Sequence, residues 1–458
     1  VFQLSPFNFQ LVPPSPMSPL MKRLQLLLSV VSVLLVLVLA AAAWGWWTLR
    51  GTLPPLDGEL AVAGLSGPVK IERDALGVPV ISGSTRADVA RALGFLHAQD
   101  RFFQMDVLRR VSAGELAEIF GPAALPLDRS HRLHGFRRLS REVVAALAAS
   151  HRAELDAYTA GVNAGLAALP NRPWEYLVLR TTPQPWRPED TLLVGYSMWL
   201  DLQGPDGRLE QSLRAVRLTL GQAGLDFFAP PGNSWDSALD GSRFPEVPLP
   251  PLRLKPAGED RVSSLPTAER EPAVGSNSFA LAGTHTASGA AMLANDMHLG
   301  LRVPHIWYRA VLQWPDAAGQ PHRVVGVTLP GTPCMTIASN GHIAWGFTNS
   351  YIDTADLVLA ETEAIAQVHY RAPRGWVEIE DRTETIRVKG GEPVPFTSRW
   401  TEWGPIIAGP QDGRYLVLRW NAHDAASANL NLAELETTTS VPDAVRLAHR
   451  LGMPNQNI

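Results

Sequence analysis

The periodicity of the chain changes once, at Val274-Gly275-Ser276-Asn277-Ser278-Phe279, and that change limits what the sequence can fold into. Before it, apolar residues recur three and four apart, the repeat of a helix; after it they alternate, the repeat of a strand. Such a chain is an α+β protein, helix-rich first and strand-rich second. Just upstream, from Leu254 to Pro272, lies a charged, Pro-containing stretch without apolar pattern. It reads as an exposed spacer open to proteolysis. A cut between Gly275 and Ser276 would leave Ser276 with a free α-amino group beside its hydroxyl, a nucleophile and a base on one residue. A Gly-Ser pair is most often only a turn, so this reading depends on the rest of the chain.

Residues 1–20 contain Pro13, Pro14, Pro16 and Pro19, lack helical periodicity, and read as a disordered extension ahead of Met21. In residues 21–50, the run from Leu24 to Leu49 carries no charge. About 20 apolar residues span a bilayer, so this is a transmembrane or signal helix. Lys22 and Arg23 before it keep the N-terminus in the cytoplasm, and Trp44, Trp46 and Trp47 suit an interfacial belt. Ala40 to Ala43 offer a signal-cleavage site, but the length favours an uncleaved anchor. Either way the remainder is exported, to the periplasm or extracytoplasmic face. Residues 51–66 read as a linker, 67–245 as a mainly helical region, 246–275 as the spacer and 276–458 as the strand-rich part. A net charge of −4 gives no basic footprint for nucleic acid. The single cysteine, Cys334, excludes an intramolecular disulfide and a Cys-based metal site, and its apolar surroundings suggest a buried, inert thiol.

Strands are expected at 69–73 and 78–81, followed by a helix capped by Ser84 or Thr85 and running towards Leu108. His97, Asp100 and Arg101 lie in that helix and read as buried ties to its neighbours. Arginines recur from Arg101 to Arg152, including Arg109, Arg110, Arg137 and Arg138, interspersed with Asp106, Glu115, Glu118, Asp128 and Glu142. That pattern suggests a solvated helical surface. Further helices are expected near 154–169 and from Pro188 through Leu202. Beyond Ser276, strands are expected at 279–282, 291–294, 306–314, 323–327, 357–359, 383–388 and 415–420. Asn340-Gly341 between 335–338 and 342–347 is a hairpin signal.

Six stretches coincide, in order, with one family: Arg73-Asp74 with Gly77-Val78-Pro79; Gly94 to Arg101 with Gln104-Met105; Tyr158 with Gly161-Val162-Asn163; Gly275 to Phe279; Leu293-Ala294-Asn295-Asp296-Met297-His298-Leu299; and Asn340 to Gly346. On these the chain resembles the penicillin acylase family of N-terminal-nucleophile amidohydrolases. The resemblance implies a four-layer αββα sandwich. It implies an exported precursor, cut by itself at Gly275-Ser276 into an α/β heterodimer; the membrane contact through the N-terminal helix rests on the apolar run alone. The substrate implied is a small N-acyl molecule such as a penicillin, cephalosporin or acyl-homoserine lactone, hydrolysed through an acyl-enzyme on Ser276. An α-amino group has a reference pKa of about 7.7–8.0, so it can act as the base near neutrality. The family positions give Asn349 an oxyanion-hole backbone N–H and place His298 beside the nucleophile, where it resembles members acting on acyl-homoserine lactones or cephalosporins. Met198, Trp199 and Gln203 would contact the acyl group. A structural Ca²⁺ would be held by Glu210, Asp353, Asp356 and the carbonyl of Ala355, with no organic cofactor. The family's second oxyanion donor, an Asn side chain, is expected beyond Ile458, so the chain reads as truncated and of little activity alone. The competing readings are a processing-defective, membrane-anchored binding protein and an unrelated Ser-His-Asp hydrolase; no G-x-S-x-G elbow surrounds Ser276 to support the latter.

Overall fold

In the computed structural model, which describes residues 18–204, 207–238, 240–250, 275–350 and 352–458, the apolar N-terminal run forms one helix, α1 (Pro19–Arg50). Ser18 caps it by accepting from the Met21 amide, and none of its residues is buried. Its 32 residues, at about 1.5 Å each, reach farther than a bilayer's hydrocarbon core. Among the described residues it is the one helix long and apolar enough to cross a membrane. Asn171 holds its far end, donating its backbone N–H to the Gly51 carbonyl at 2.8 Å and Nδ2 to Thr48 at 3.3 Å. Of the expected extension, residues 1–17 lie outside the described residues. So do residues 251–274 of the spacer.

Strands β1 (Lys70–Arg73) and β2 (Pro79–Ser82) pair across a turn held by the Asp74 carboxylate, which accepts from the Leu76 and Val78 amides at 2.8 and 2.9 Å. Thr85 caps α2 (Arg86–Ala113), which ends at the left-handed Gly114. Then come α3 (Ala117–Phe120), α4 (Leu125–Arg132), α5 (Phe136–Ala146), α6 (Ala149–Ala167), α7 (Trp174–Val178), α8 (Pro188–Gln203) and α9 (Arg208–Phe228). Helices α2 and α6 touch backbone to backbone. A Cβ on Gly94 would sit 2.3 Å from the Tyr158 carbonyl oxygen, one on Gly161 1.9 Å from that of Arg91, and one on Gly165 2.2 Å from that of Phe95. Only glycine permits such an approach.

After the spacer, β3 (Ser276–Leu281) and β4 (Met292–Met297) form a separate two-stranded sheet. The next strands are β5 (Tyr308–Pro315), β6 (Pro321–Thr328), β7 (Ile337–Ser339) and β8 (Ala344–Trp345). They extend the first pair into a six-stranded sheet of order β1-β2-β5-β6-β7-β8, in which only β2 and β5 are parallel. Short β9 (Thr348–Asn349) leads to β10 (Ala355–Glu361), then the hairpin β11 (His369–Ala372) and β12 (Gly375–Glu378). A meander follows: β13 (Glu380–Ile386), β14 (Val394–Thr401), β15 (Gly404–Gln411) and β16 (Arg414–Trp420). With β10 these form a second, five-stranded sheet of order β10-β16-β15-β14-β13. Helix α10 (Val441–Ala448) precedes β17 (Gln456–Asn457), which pairs with β9. The expected Asn340-Gly341 hairpin joins β7 to β8.

The main core lies where α2, α6 and α8 cover the six-stranded sheet, with Leu93, Phe102, Tyr158, Val194, Leu312 and Val324 fully or nearly fully buried. His97 belongs to it. Its ring joins the Tyr158 hydroxyl at 2.8 Å to the Thr328 hydroxyl at 2.9 Å, and burial pushes its pKa down to about 3. Asp100 ties α2 to both sheet halves, accepting from Arg73 at 2.8 Å and the Tyr308 hydroxyl at 2.7 Å. One expectation is overturned in part: Arg141, Glu142 and Arg152 are exposed, as a solvated surface requires, but the cluster around Arg109 and Arg110 is not. Arg109 and Arg110 are 4% and 3% exposed. Asp106 pairs with both, at 2.6 and 3.0 Å, and accepts from the Tyr176 hydroxyl at 2.6 Å. Asp190 takes Arg109 and Arg137, each at 2.5 Å. Glu118 and Glu115 complete the cluster on Arg110 and Arg137, each at 2.6 Å. The charges sit inside because each has a hydrogen-bonded counter-charge.

Candidate active site

Ser276 is the first residue of β3, paired with Met297 at the end of β4. One step back, the Gly275 carbonyl accepts from the His298 backbone N–H at 3.1 Å. The carbonyl of the Gly275-Ser276 peptide is therefore polarised by a donor, and the Ser276 hydroxyl follows it in the chain. Among the described residues, the side chain that ties the hairpin by hydrogen bonds to the strands beyond it is Asn295. Asn295 exchanges two hydrogen bonds with the Phe347 backbone, both 2.9 Å, and donates to the Asn277 carbonyl at 3.1 Å. The remainder of the hairpin is open, with Phe279 61% and Met292 58% exposed.

Ser276 borders a cavity of about 140 Å³. One wall is α8, through Thr191, Gly195, Met198, Trp199 and Leu202. The facing walls are Met297, Leu299, Trp307, Leu329, Cys334, Ile337 and Phe347, and the chain from Ala428 to Gln456 closes the rest with Leu430, Leu432 and Met453. None of the described residues that line it is charged. Asn349 borders the same space. Its side chain is held from three sides: Nδ2 donates to the Leu202 carbonyl at 3.1 Å, and Oδ1 accepts from Gln203 at 3.4 Å and Gln456 at 3.3 Å. Gln203 also donates to the Asn455 carbonyl at 2.7 Å. Cys334 is buried as expected, and burial pushes its thiol up to about 12, which keeps it protonated and inert.

Of the residues expected in the site, Ser276, Asn349, Met198 and Trp199 come together on this cavity. Gln203 is absent from its lining and instead positions Asn349. His298 is absent from it too: its ring is half-exposed and pairs through Nε2 with Asp296 at 2.9 Å, while its backbone holds Gly275. Glu210, Asp353, Ala355 and Asp356 all border a second, wider cleft beside α9. Among the described residues, however, no three acidic, His or Cys side chains stand close enough to hold an ion. The Asp356 carboxylate is turned to the Leu357 amide at 2.7 Å. Sequence reasoning missed Gly195 and the wall from Leu430 to Met453. The lining residues of the latter lie in short 3-10 turns and loops on either side of α10, where apolar residues show no repeat.

The sequence pattern of the penicillin amidase family matches residues 68–458. The chain belongs to the penicillin amidase family. It is 34% identical over 388 residues to penicillin acylase 2 proenzyme of Pseudomonas sp. (strain SE83), covering 81% of this chain and 48% of that protein. It is 30% identical over 366 residues to acyl-homoserine lactone acylase QuiP of Pseudomonas aeruginosa, covering 78% and 42%. It is 23% identical over 415 residues to penicillin G acylase of Escherichia coli, covering 79% and 48%. The chain thus spans about half the length of the curated relatives it matches. A solved penicillin G acylase from Alcaligenes faecalis overlays 40% of this chain and 98% of its own, at 26% identity and a TM-score of 0.34, too slight an overlap to bear on the fold. Within the penicillin amidase frame, the ordered motifs of this chain divide by role. Asp74, His97, Asn163 and Asn340 are scaffold: Asn163 brackets the Trp186 backbone at 2.8 and 2.9 Å, and Asn340 donates to the Thr438 carbonyl at 2.7 Å. Ser276 and Asn349 border the cavity.

Proposed function

We propose that the protein is an exported amidohydrolase that cuts itself between Gly275 and Ser276 and then hydrolyses N-acyl substrates at the new N-terminal serine. The observation that carries this is the position of Ser276, which follows the held Gly275 carbonyl and borders an apolar cavity beside Asn349. In processing, the Ser276 hydroxyl adds to the Gly275 carbonyl carbon, the peptide C–N bond breaks, and water hydrolyses the resulting ester. This frees the Ser276 amine. The His298 N–H already donates to the oxygen that becomes negative, and one such donor is worth roughly 3–4 kcal/mol where it has been removed from other oxyanion holes.

In turnover, the amine takes the hydroxyl proton and the Ser276 oxygen adds to the substrate carbonyl. The C–N bond breaks, the proton passes to the leaving amine, and water releases the acid. Asn349, held by Gln203 and Gln456, fits the family's oxyanion position. The uncharged walls favour an uncharged acyl group: a terminal carboxylate would lose its hydration with no cation on the lining to replace it. On this reading the mature protein is an α/β heterodimer with the αββα sandwich of N-terminal-nucleophile hydrolases, and α1 exports or anchors it at the extracytoplasmic face. Calcium is part of the same proposal, but Glu210, Asp353 and Asp356 would have to draw together around it. Equilibrium dialysis of the protein against calcium tests that ion; no uptake removes it.

The experiment for the activity uses protein expressed from its complete gene and a panel of N-acyl amides. Release of free acid that is abolished in Ser276→Ala is expected. Release that survives in Ser276→Ala assigns the chemistry elsewhere.

A further inference from the structure

Helix α8 presents one stripe to the cavity: Thr191, Gly195, Met198 and Leu202, spaced four, three and four residues apart. That spacing keeps all four on one face of a helix. Three of them fill the stripe with side chains, and Gly195 leaves a notch. A Cβ built on Gly195 meets no atom within 4 Å, although both neighbours, Val194 and Tyr196, are fully buried. The contrast with the glycines that join α2 to α6 is sharp. Gly94, Gly161 and Gly165 are required by close backbone approach, each Cβ falling within 2.3 Å of a carbonyl oxygen. Gly195 has no such neighbour, and its backbone is ordinary right-handed helix inside α8. Glycine is a poor residue for a helix interior. Neither packing nor backbone geometry explains it here, whereas the space it leaves does.

We propose that Gly195 is a specificity-determining position whose missing side chain keeps room for the acyl group. This rests on the acylase reading of the cavity. An apolar acyl chain held at Ser276 extends along α8, and a side chain at position 195 would take the volume that its outer carbons occupy. Short acyl groups would not reach that volume.

The test uses protein expressed from its complete gene, with Gly195→Ala and Gly195→Leu, and two readouts. The first is kcat/KM on N-acyl amides from acetyl to octanoyl. The second is binding of hexanoic acid and of acetic acid, followed by quenching of tryptophan fluorescence, since Trp199 and Trp307 line the cavity. Because a misfit of one or two carbons in an apolar pocket changes selectivity roughly 10- to 200-fold, Gly195→Leu should lower kcat/KM for hexanoyl amides at least about tenfold relative to acetyl amides. Gly195→Ala should shift the profile the same way and less; should Gly195→Leu fail to fold, Gly195→Ala carries the comparison. A parallel change across all chain lengths, or none, overturns the inference. If the wild type hydrolyses no amide, the acylase reading fails and binding decides. Hexanoic acid binding that is weakened in the variants supports the notch. No binding by the wild type, or unchanged binding in the variants, overturns it.

Discussion

The interface of α2 with α6 and the hairpin of β3 with β4 are held in opposite ways. In the first, three glycines bring two backbones into contact, and His97, Asp100 and the Tyr158 hydroxyl tie the pair to the sheet. In the second, Asn295 fastens two strands whose apolar residues Phe279, Leu281, Met292 and Leu293 are exposed. Within the described residues, the scaffold is close-packed and over-determined, whereas the hairpin that carries Ser276 is fastened through Asn295. Elements that open or are cut during function come from the less stable end of a structure. The Gly275-Ser276 bond, proposed above as the one that is cut, lies at the edge of this hairpin.

Four substitutions or conditions break or sharpen this contrast. The largest effect is expected at Gly161. Gly161→Val places a branched side chain where even a Cβ would overlap the Arg91 carbonyl. Ordinary core overpacking costs about 1–3 kcal/mol, occasionally more; a clash with a backbone carbonyl cannot be relieved by a change of rotamer, so this one exceeds that range and the helices cannot dock as they do. Soluble yield and melting temperature should both fall sharply, and a wild-type melting temperature would refute the close approach. Next is Asp190→Ala, which leaves Arg109 and Arg137 without their shared carboxylate. Removing one partner of a buried pair costs about 3–5 kcal/mol, to be read from denaturant midpoints.

Acid should act on the scaffold through its buried histidines. Burial holds His97 and His134 at about 3 and His423 well below its ordinary value of 6.5. The unfolded chain therefore binds more protons than the folded one between those limits. The stabilisation from neutral histidine is complete above about pH 6.5 and is lost as pH falls towards 3. Denaturant titrations at steps across that window should show stability falling with acid, and His97→Gln should flatten the slope. The smallest global effect is expected for Asn295→Ala. It removes about 1–3 kcal/mol of local satisfaction. Hydrogen exchange should speed up in residues 276–297 while α2 and α6 keep their protection. Equal loss in both regions would erase the contrast.

Much of the scaffold was legible in the sequence because its elements are periodic. The cap at Thr85, one of the two candidates, the helix from Pro188 and the Asn340-Gly341 turn lie where the pattern puts them, while β3 overlaps the expected strand 279–282 but begins three residues earlier, at Ser276. The arginine cluster was not legible. A run of mixed charges looks the same on a wet face as in a core, and Asp190, which decides the matter, lies 81 residues from Arg109. The site was legible in part. Ser276 stands at a change of period, Met198 and Trp199 on a helix, and Asn349 was placed by resemblance. The wall from Leu430 to Met453 has no repeat to read. The significance of Gly195 appears only once the space beside it is known.

The central claim is that the Gly275-Ser276 bond is cut by Ser276 itself. N-terminal sequencing and intact mass of the protein expressed from its complete gene test it most directly. The expected result is a chain that begins Ser-Asn-Ser-Phe in the wild type and an uncut chain in Ser276→Ala, with both equally folded. A wild type that stays joined at Gly275, or a Ser276→Ala protein that is still cut there, would contradict it.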